Sequence, residues 1–266
     1  MIKPPTFAIA GLGNISSRHT QAIKDIGGKI IDTYDVDRSR SSTVHSWEDF
    51  LKTKADWIVL LTPNKMHLQQ ALAALKTNKN VIVEKPPTMT YFELFDYPLD
   101  APIYTISQLR YMESIKKLRI KVLKDSGYSV KLNVVAHRDP IYLANWRGKE
   151  DWSGGLLYII GIHYFDILTW IFGGVKTVDY VRWINEWKCQ GKVQLDKCEL
   201  IFNIEISEDK PNSKSLIVDD KEIDLAAEFF ELHGECYKDI MNGGGIHPWE
   251  LNKAILLIDK LHGKSI

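Results

Sequence analysis

Residues 7 to 35 constrain this chain most. Phe7-Ala8-Ile9-Ala10 is a short apolar run that breaks at Gly11-Leu12-Gly13 and continues through Asn14 and Ile15 into a helical stretch ending at Gly27-Gly28. Ile30-Ile31-Asp32-Thr33-Tyr34-Asp35 follows as a second strand closed by an acid. Strand, glycine turn, helix, strand and acid make one βαβ unit built around a dinucleotide site. Glycines let the backbone approach a pyrophosphate at a helix N-terminus, and the acid takes the ribose hydroxyls. Gly11, Gly13, Asn14, Ile15 and Asp35 are therefore the first cofactor-binding candidates. Ser16 replaces the usual third glycine, which still permits close helix–strand packing. Asp35 would repel a 2′-phosphate and so favours NAD, while Arg38 and Arg40 nearby keep NADP possible. Asp35 and Asp37 also suit plain solvated loop charges.

The alternation continues. Trp57 to Leu61 reads as a buried strand closed by Thr62-Pro63-Asn64, Met66 to Leu75 repeats apolar residues at helical spacing, and Val81-Ile82-Val83 is a strand stopped by Pro86-Pro87. Ile103 to Ile106 adds one more. Strands alternating with helices predict a doubly wound parallel sheet over residues 1–110, a Rossmann domain. Beyond residue 110 the pattern changes. Val130 to His137, Thr177 to Ile184, Leu200 to Ile206 and Ser215 to Val218 read as strands, with one long helix over Leu156 to Ile171 among them. This predicts an α+β second domain, residues 111–266, with a largely antiparallel sheet and closing helices over Glu228 to Met241 and Pro248 to Leu261. Those last helices could pack back on the first domain. A ligand cleft between the two domains is expected.

A chain of 266 residues accommodates one large or two modest domains. Its formal net charge of zero gives no electrostatic footprint for nucleic acid and leaves self-association unopposed. Three cysteines without CxxC spacing point to a reducing compartment, here the cytoplasm. The N-terminus leads straight into a strand and does not read as a signal peptide. The apolar stretch over residues 156–173 is interrupted by His163 and Asp166, so no membrane span is expected.

Several polar residues fall where open α/β sheets bind ligands, at the strand ends. Thr62, Pro63, Asn64 and His67 follow the third strand and can face a nicotinamide or ribose; Asn64 as a helix cap is the plainer alternative. Lys85, in Glu84-Lys85-Pro86, is delivered by an apolar strand and can steer proton transfer at a substrate hydroxyl. Taken alone, the tripeptide equally suits a lysine paired with Glu84 on a solvated loop. Ile159, His163, Asp166 and Trp170 share a helical face, and a carboxylate three residues from a histidine can hold it in one tautomer. Asn145-Trp146-Arg147-Gly148 and Gln108-Leu109-Arg110 add aromatic and basic groups. Arg110 and Arg147 suit a substrate carboxylate or phosphate, or are ordinary surface arginines.

Together these residues resemble the glucose–fructose oxidoreductase / inositol dehydrogenase (Gfo/Idh/MocA) family. The carriers are Gly11-x-Gly13 with His19, Thr62-Pro63-Asn64-x-x-His67, Glu84-Lys85-Pro86, and Gly154-Gly155 with Gly161-x-His163-x-x-Asp166. Arg18-His19, Gln108-Leu109-Arg110, Trp146-Arg147-Gly148, Ser153-Gly154-Gly155 and the helix from Leu232-His233 to Tyr237 look most like the branch that oxidises UDP-N-acetylglucosaminuronic acid at its C3 hydroxyl. The resemblance implies NAD along the sheet edge, bound also by Glu84, Lys85 and Gln108. It implies Lys85 and His163 as the catalytic pair, and a UDP-sugar near Lys85, Arg110, Trp146, Arg147, Ile159 and His163. It also implies a homodimer or homotetramer formed through the open face of the second sheet, with no metal. One departure stands out. Four residues before the histidine the family usually carries Asp or Asn, and here the residue is Ile159, which can neither hydrogen-bond nor titrate. Lys85 and His163 then work without that partner, or Tyr158 substitutes. A regulator that kept the fold and lost the chemistry, and a family enzyme on another sugar or polyol, are the competing readings.

Overall fold

The structure is a computed structural model and describes residues 3–225 and 232–264. The expected helix start over 228–231 lies outside the described residues. Strands are β1 (Thr6–Ala10), β2 (Lys29–Tyr34), β3 (Trp57–Leu60), β4 (Asn80–Val83), β5 (Ile103–Thr105), β6 (Tyr128–His137), β7 (Val175–Asn185), β8 (Lys188–Leu195), β9 (Cys198–Ser207), β10 (Ser213–Val218) and β11 (Lys221–Ile223). Helices are α1 (Ser16–Asp25), α2 (Trp47–Phe50), α3 (His67–Leu75), α4 (Glu113–Val122), α5 (Pro140–Leu143), α6 (Glu150–Ser153), α7 (Ile162–Phe172), α8 (Leu232–Met241) and α9 (Asn252–Leu261).

The chain forms two compact units. The first takes Met1–Thr88, Phe92–Gln108 and Glu231–Glu250; the second takes Met89–Tyr91, Leu109–Phe230 and Leu251–Ile266. Unit one is built on a five-stranded sheet of order β2-β1-β3-β4-β5, all pairs parallel. β1 is buried at every position and β3 and β4 at every position after the first, as a sheet covered on both faces demands: Phe7, Ile9, Ile58, Leu60 and Ile82 are each at most 1% exposed. The strand order reverses between β1 and β3, which makes their C-terminal ends the topological switch point where such sheets bind ligands. Gly11 sits at that point with φ +93°, and a Cβ there would stand 2.6 Å from the Leu61 carbonyl carbon and oxygen. Only glycine allows the two strand exits to run this close. Gly11→Ala is accordingly expected to cost about 1–3 kcal/mol of backbone strain and to abolish retention of dinucleotide. Thermal unfolding with and without NAD checks both.

Unit two holds a six-stranded mixed sheet of order β11-β10-β6-β9-β8-β7, antiparallel except for β6 with β9. The expected combination of a parallel sheet and a largely antiparallel one is therefore what the chain forms. β8 was not expected. Its buried positions are Cys189, Gly191, Val193 and Leu195. Gly191 interrupts the apolar alternation because the Phe202 ring of β9 occupies the space, 2.7 Å from where a Cβ would lie. The long helix begins as a π-helical turn over Leu157–Gly161 and continues as α7. The helical stretch Glu150–Phe172 is long and apolar enough to cross a membrane by length and composition, and 78% of its most apolar window is buried within the protein. That burial is the role of a core helix: α7 packs on α9 and α4.

Candidate active site

In unit one, the end of β1 turns through Gly11 into α1. Ile15 caps that helix without a side-chain hydrogen bond, and no acid lies in its first turn. A Cβ on Gly13 would meet nothing nearer than the Arg40 Nη1 at 3.9 Å. Space, a helix N-terminus free of side-chain caps and a nearby guanidinium fit a dinucleotide pyrophosphate. Asp35 is half-buried just past β2. Its Oδ2 accepts from the Leu12 N–H at 2.7 Å and its Oδ1 from the Asp37 N–H at 2.8 Å. Arg40 donates to the Leu12 carbonyl and lies 3.6 Å from Asp35. The acid thus belongs to the glycine turn, and the expectation of a merely solvated charge does not describe it. Asn14 is exposed and Ile15 half-buried at the same turn.

The segment after β3 holds Thr62, Asn64 and His67 close to the sheet. Thr62 donates its hydroxyl to Gln70 Oε1 at 2.5 Å, and Asn64 is 6% exposed. His67, anticipated as a cofactor contact, is 1% exposed, with Nδ1 2.7 Å from the Pro86 carbonyl and Nε2 2.7 Å from the Thr62 carbonyl. Burial pushes this imidazole down. The ring lies between the Thr62 carbonyl after β3 and the Pro86 carbonyl after β4, and the neutral ring donates to one of them.

Lys85 leaves the end of β4 with its side chain only 6% exposed. Its Nζ donates to Glu84 Oε2 at 3.0 Å and to Gln108 Oε1 at 2.7 Å. A solvated loop lysine is ruled out by that burial. Glu84 is enclosed further: its Oε1 lies 2.9 Å from His19 Nε2, whose Nδ1 is 2.9 Å from the Tyr237 hydroxyl. Burial by itself would raise the Glu84 carboxyl. The Lys85 ammonium and the hydrogen bond from His19 outweigh it and hold Glu84 well below the usual carboxylate range. Gln108, expected at the cofactor, is 3% exposed and serves as the second partner of the lysine.

In unit two, Ile159 and His163 are the half-exposed positions between Leu156 and Thr169. The π turn contains Ile159 and ends two residues before His163; such bulges occur frequently at functional sites. Tyr158 does not stand in for the missing acid. It is 1% exposed and donates its hydroxyl to Asp259 at 2.7 Å, beneath Lys264. Arg110 is a second correction. It is 4% exposed, and its Nε and Nη2 reach the Asp166 carboxylate at 2.9 and 2.5 Å, while Trp170 lies 5.3 Å beneath the guanidinium. Two charges so buried are held by each other, so Arg110 leaves the set of substrate-binding candidates. Arg147 stays in it: half-buried, it stacks over Trp146 and Tyr142 at 4.7 and 4.8 Å and donates to Asn145. Asp259 has a sequence signal of its own: it is an acid on the buried face of α9, among Ile255, Ile258 and Leu261.

A glycine turn at the switch point of a parallel sheet, with a buried lysine at the next strand end, defines a dinucleotide-binding α/β protein. Two family models match the chain, "Oxidoreductase family, NAD-binding Rossmann fold" over residues 6–97 and "Oxidoreductase family, C-terminal alpha/beta domain" over residues 127–205. The chain belongs to the Gfo/Idh/MocA oxidoreductase family. Among solved structures it is similar to the WlbA (WbpB) dehydrogenase from Thermus thermophilus in complex with NAD and alpha-ketoglutarate. That likeness has a TM-score of 0.88 and 26% identity over 98% of this chain and 96% of the other. The scyllo-inositol dehydrogenase from Lactobacillus casei shares the fold, with a TM-score of 0.79 and 15% identity over 98% and 96%. The scyllo-inositol 2-dehydrogenase (NADP(+)) IolW of Bacillus subtilis (strain 168) is 26% identical over 52% of this chain. The match spans less than half of that curated relative, 41% of its length.

Proposed function

We propose that this protein is an NAD-dependent dehydrogenase that oxidises a hydroxyl of a sugar nucleotide, with UDP-N-acetylglucosaminuronic acid converted to its 3-keto form as the leading candidate. The observation that carries the reading is the buried Lys85 ammonium, held by Glu84 and Gln108 at a strand end of the cofactor sheet. Oxidising an alcohol removes a hydride and a proton. NAD, when bound, supplies the hydride acceptor. The protein must manage the proton, and Lys85 and His163 are the residues proposed to do so at the substrate oxygen. Gly11, Gly13, Asn14, Ile15 and Asp35 are proposed to hold the dinucleotide, with Thr62, Pro63 and Asn64 lining its nicotinamide end. Arg147 and Trp146 are proposed to meet the anionic part of the substrate, and Ile159 to pack against the sugar. Solved relatives in complex with NAD and UDP-GlcNAcA support this choice of substrate. The reading places the protein in the cytoplasm, in keeping with three buried free cysteines. It also gives the exposed face of sheet β11-β10-β6-β9-β8-β7, which carries Tyr180 and Ile201, to a homo-oligomer contact.

The internal pairing of Arg110 favours a second reading, a neutral sugar or polyol substrate, because it removes one of two expected anion-binding arginines. The test is NADH formation from NAD with UDP-N-acetylglucosaminuronic acid against inositols and UDP-N-acetylglucosamine, with 2-oxoglutarate added to recycle tightly held cofactor. Turnover of the uronic acid, with KM raised at least ~10-fold in Arg147→Ala, is the expected result. Turnover of neutral polyols alone would replace the first reading with the second.

A further inference from the structure

We propose that Tyr237, His19 and Glu84 form a one-way hydrogen-bond chain that holds Lys85 in place, making His19 and Tyr237 positioning residues for the lysine that handles the proton. The inference rests on the role given to Lys85 above. Glu84 Oε2 accepts from both the backbone N–H and the Nζ of Lys85, each at 3.0 Å, while Oε1 faces His19 Nε2 at 2.9 Å. An ionised carboxylate can only accept, so Nε2 carries the proton; the proposed chain has a neutral ring, in which Nδ1 accepts from the Tyr237 hydroxyl 2.9 Å away. Each bond fixes the direction of the next. His19 and Tyr237 are both 0% exposed. The chain ends in the core, so it offers no route for a proton to water. What it can do is fix a tautomer, orient a carboxylate and keep that carboxylate charged against the ammonium.

The groups packed around Glu84 agree with this. His19 comes from α1, His67 from α3, and His233, Cys236 and Tyr237 from α8. Burial pushes the His67 and His233 imidazoles down and the Cys236 thiol up, which leaves these three uncharged near neutrality. His233 packs edge-on against His19 at 5.1 Å, and its Nε2 stands 3.7 Å from Glu84 Oε1, farther than the 2.9 Å of His19 Nε2. Lys85 supplies the ammonium that the carboxylate holds, at 3.0 Å. The nitrogens of His19 and His233 and the Glu84 oxygen lie within 4.8 Å of one another. A divalent ion among them would face the Lys85 ammonium across one carboxylate, so we read the set as a hydrogen-bond chain.

The test reads Glu84 directly. Its carboxyl 13C resonance, assigned by its loss in Glu84→Gln, is titrated in NAD-saturated wild type, His19→Leu, His19→Gln and Tyr237→Phe. The midpoint is expected to rise by about one pH unit in His19→Leu, which removes the donor. It should stay near wild type in His19→Gln, whose carboxamide N–H can still donate. It should rise part-way in Tyr237→Phe, where nothing holds the tautomer. The acid limb of the kcat profile should move with the midpoint, with KM for the sugar nucleotide unchanged. Equal midpoints in wild type and His19→Leu would overturn the chain whatever the protein turns over. Moved midpoints with an unmoved kcat profile would overturn the positioning role. Moved midpoints in a protein that turns over no hydroxylated substrate would support the chain and overturn the dehydrogenase reading instead. If His19→Leu does not fold, an unmoved midpoint in Tyr237→Phe overturns the proposal.

Discussion

Lys85→Met is expected to lower kcat by about 10³-fold while NAD still binds within a few-fold of wild type. The lysine is one side chain among many at the dinucleotide end, and the glycine turn, Asp35 and the start of α1 are untouched by the change. Fluorescence titration with NADH and stopped-flow absorbance of NADH formation separate the two effects. The variant should also respond differently to acid. Glu84 titrates below its ordinary value in the folded protein, so it contributes stability that is present above the unfolded carboxylate value and is lost as pH falls through the lower folded one. Burial is the largest influence on that carboxyl and acts to raise it; the Lys85 ammonium is the largest of those that oppose it. Removing the ammonium lets burial dominate, and acid unfolding should begin at a higher pH than in wild type. Thermal melts across pH 4 to 8 check the sign. A kcat within a few-fold of wild type would remove Lys85 from the proton-handling role.

Arg110→Leu should cost about 3–5 kcal/mol of stability, because it strands the Asp166 carboxylate, 1% exposed, without its cation. For a chain of this size that corresponds to roughly 10 °C or more in Tm, a large share of an ordinary folding free energy. The double variant Arg110→Leu/Asp166→Leu should recover much of the loss, since two apolar side chains of similar bulk do not need each other's charge. Differential scanning calorimetry of the three proteins decides the matter. A substrate-binding arginine would behave in the opposite way, with an unchanged Tm and a raised KM. That second pattern is the one expected of Arg147→Ala, whose guanidinium rests on Trp146 and Tyr142 rather than on a buried acid.

Local sequence was enough for the scaffold of the cofactor end. An apolar run, a glycine turn, an amphipathic helix and a second run ending in an acid are short-range patterns, and each has few physical solutions. The parallel sheet, Gly11 at its switch point, Asp35 beside it and Lys85 past β4 were legible for that reason. β8 was not, because Gly191 yields its space to a ring on the neighbouring strand, and that fact belongs to β9.

The site itself was decided by pairings between distant residues. Arg110 and Asp166 are 56 residues apart, Tyr158 and Asp259 are 101 apart, and His19 and Tyr237 are 218 apart. Read alone, Arg110 and Arg147 are the same side chain in similar polar settings; one became a buried ion pair and the other a half-exposed cation on two rings. Tyr158 looked available to replace the acid missing at Ile159 until the fold gave its hydroxyl to Asp259. Periodicity records which face of an element is apolar. It carries no record of which partner a buried polar group meets, since that depends on how separate elements pack, and a buried charge or hydroxyl must take whatever partner the packing brings. What the sequence by itself determined is the architecture and the position of Lys85. Which polar residues face a ligand and which face each other was decided by tertiary structure alone.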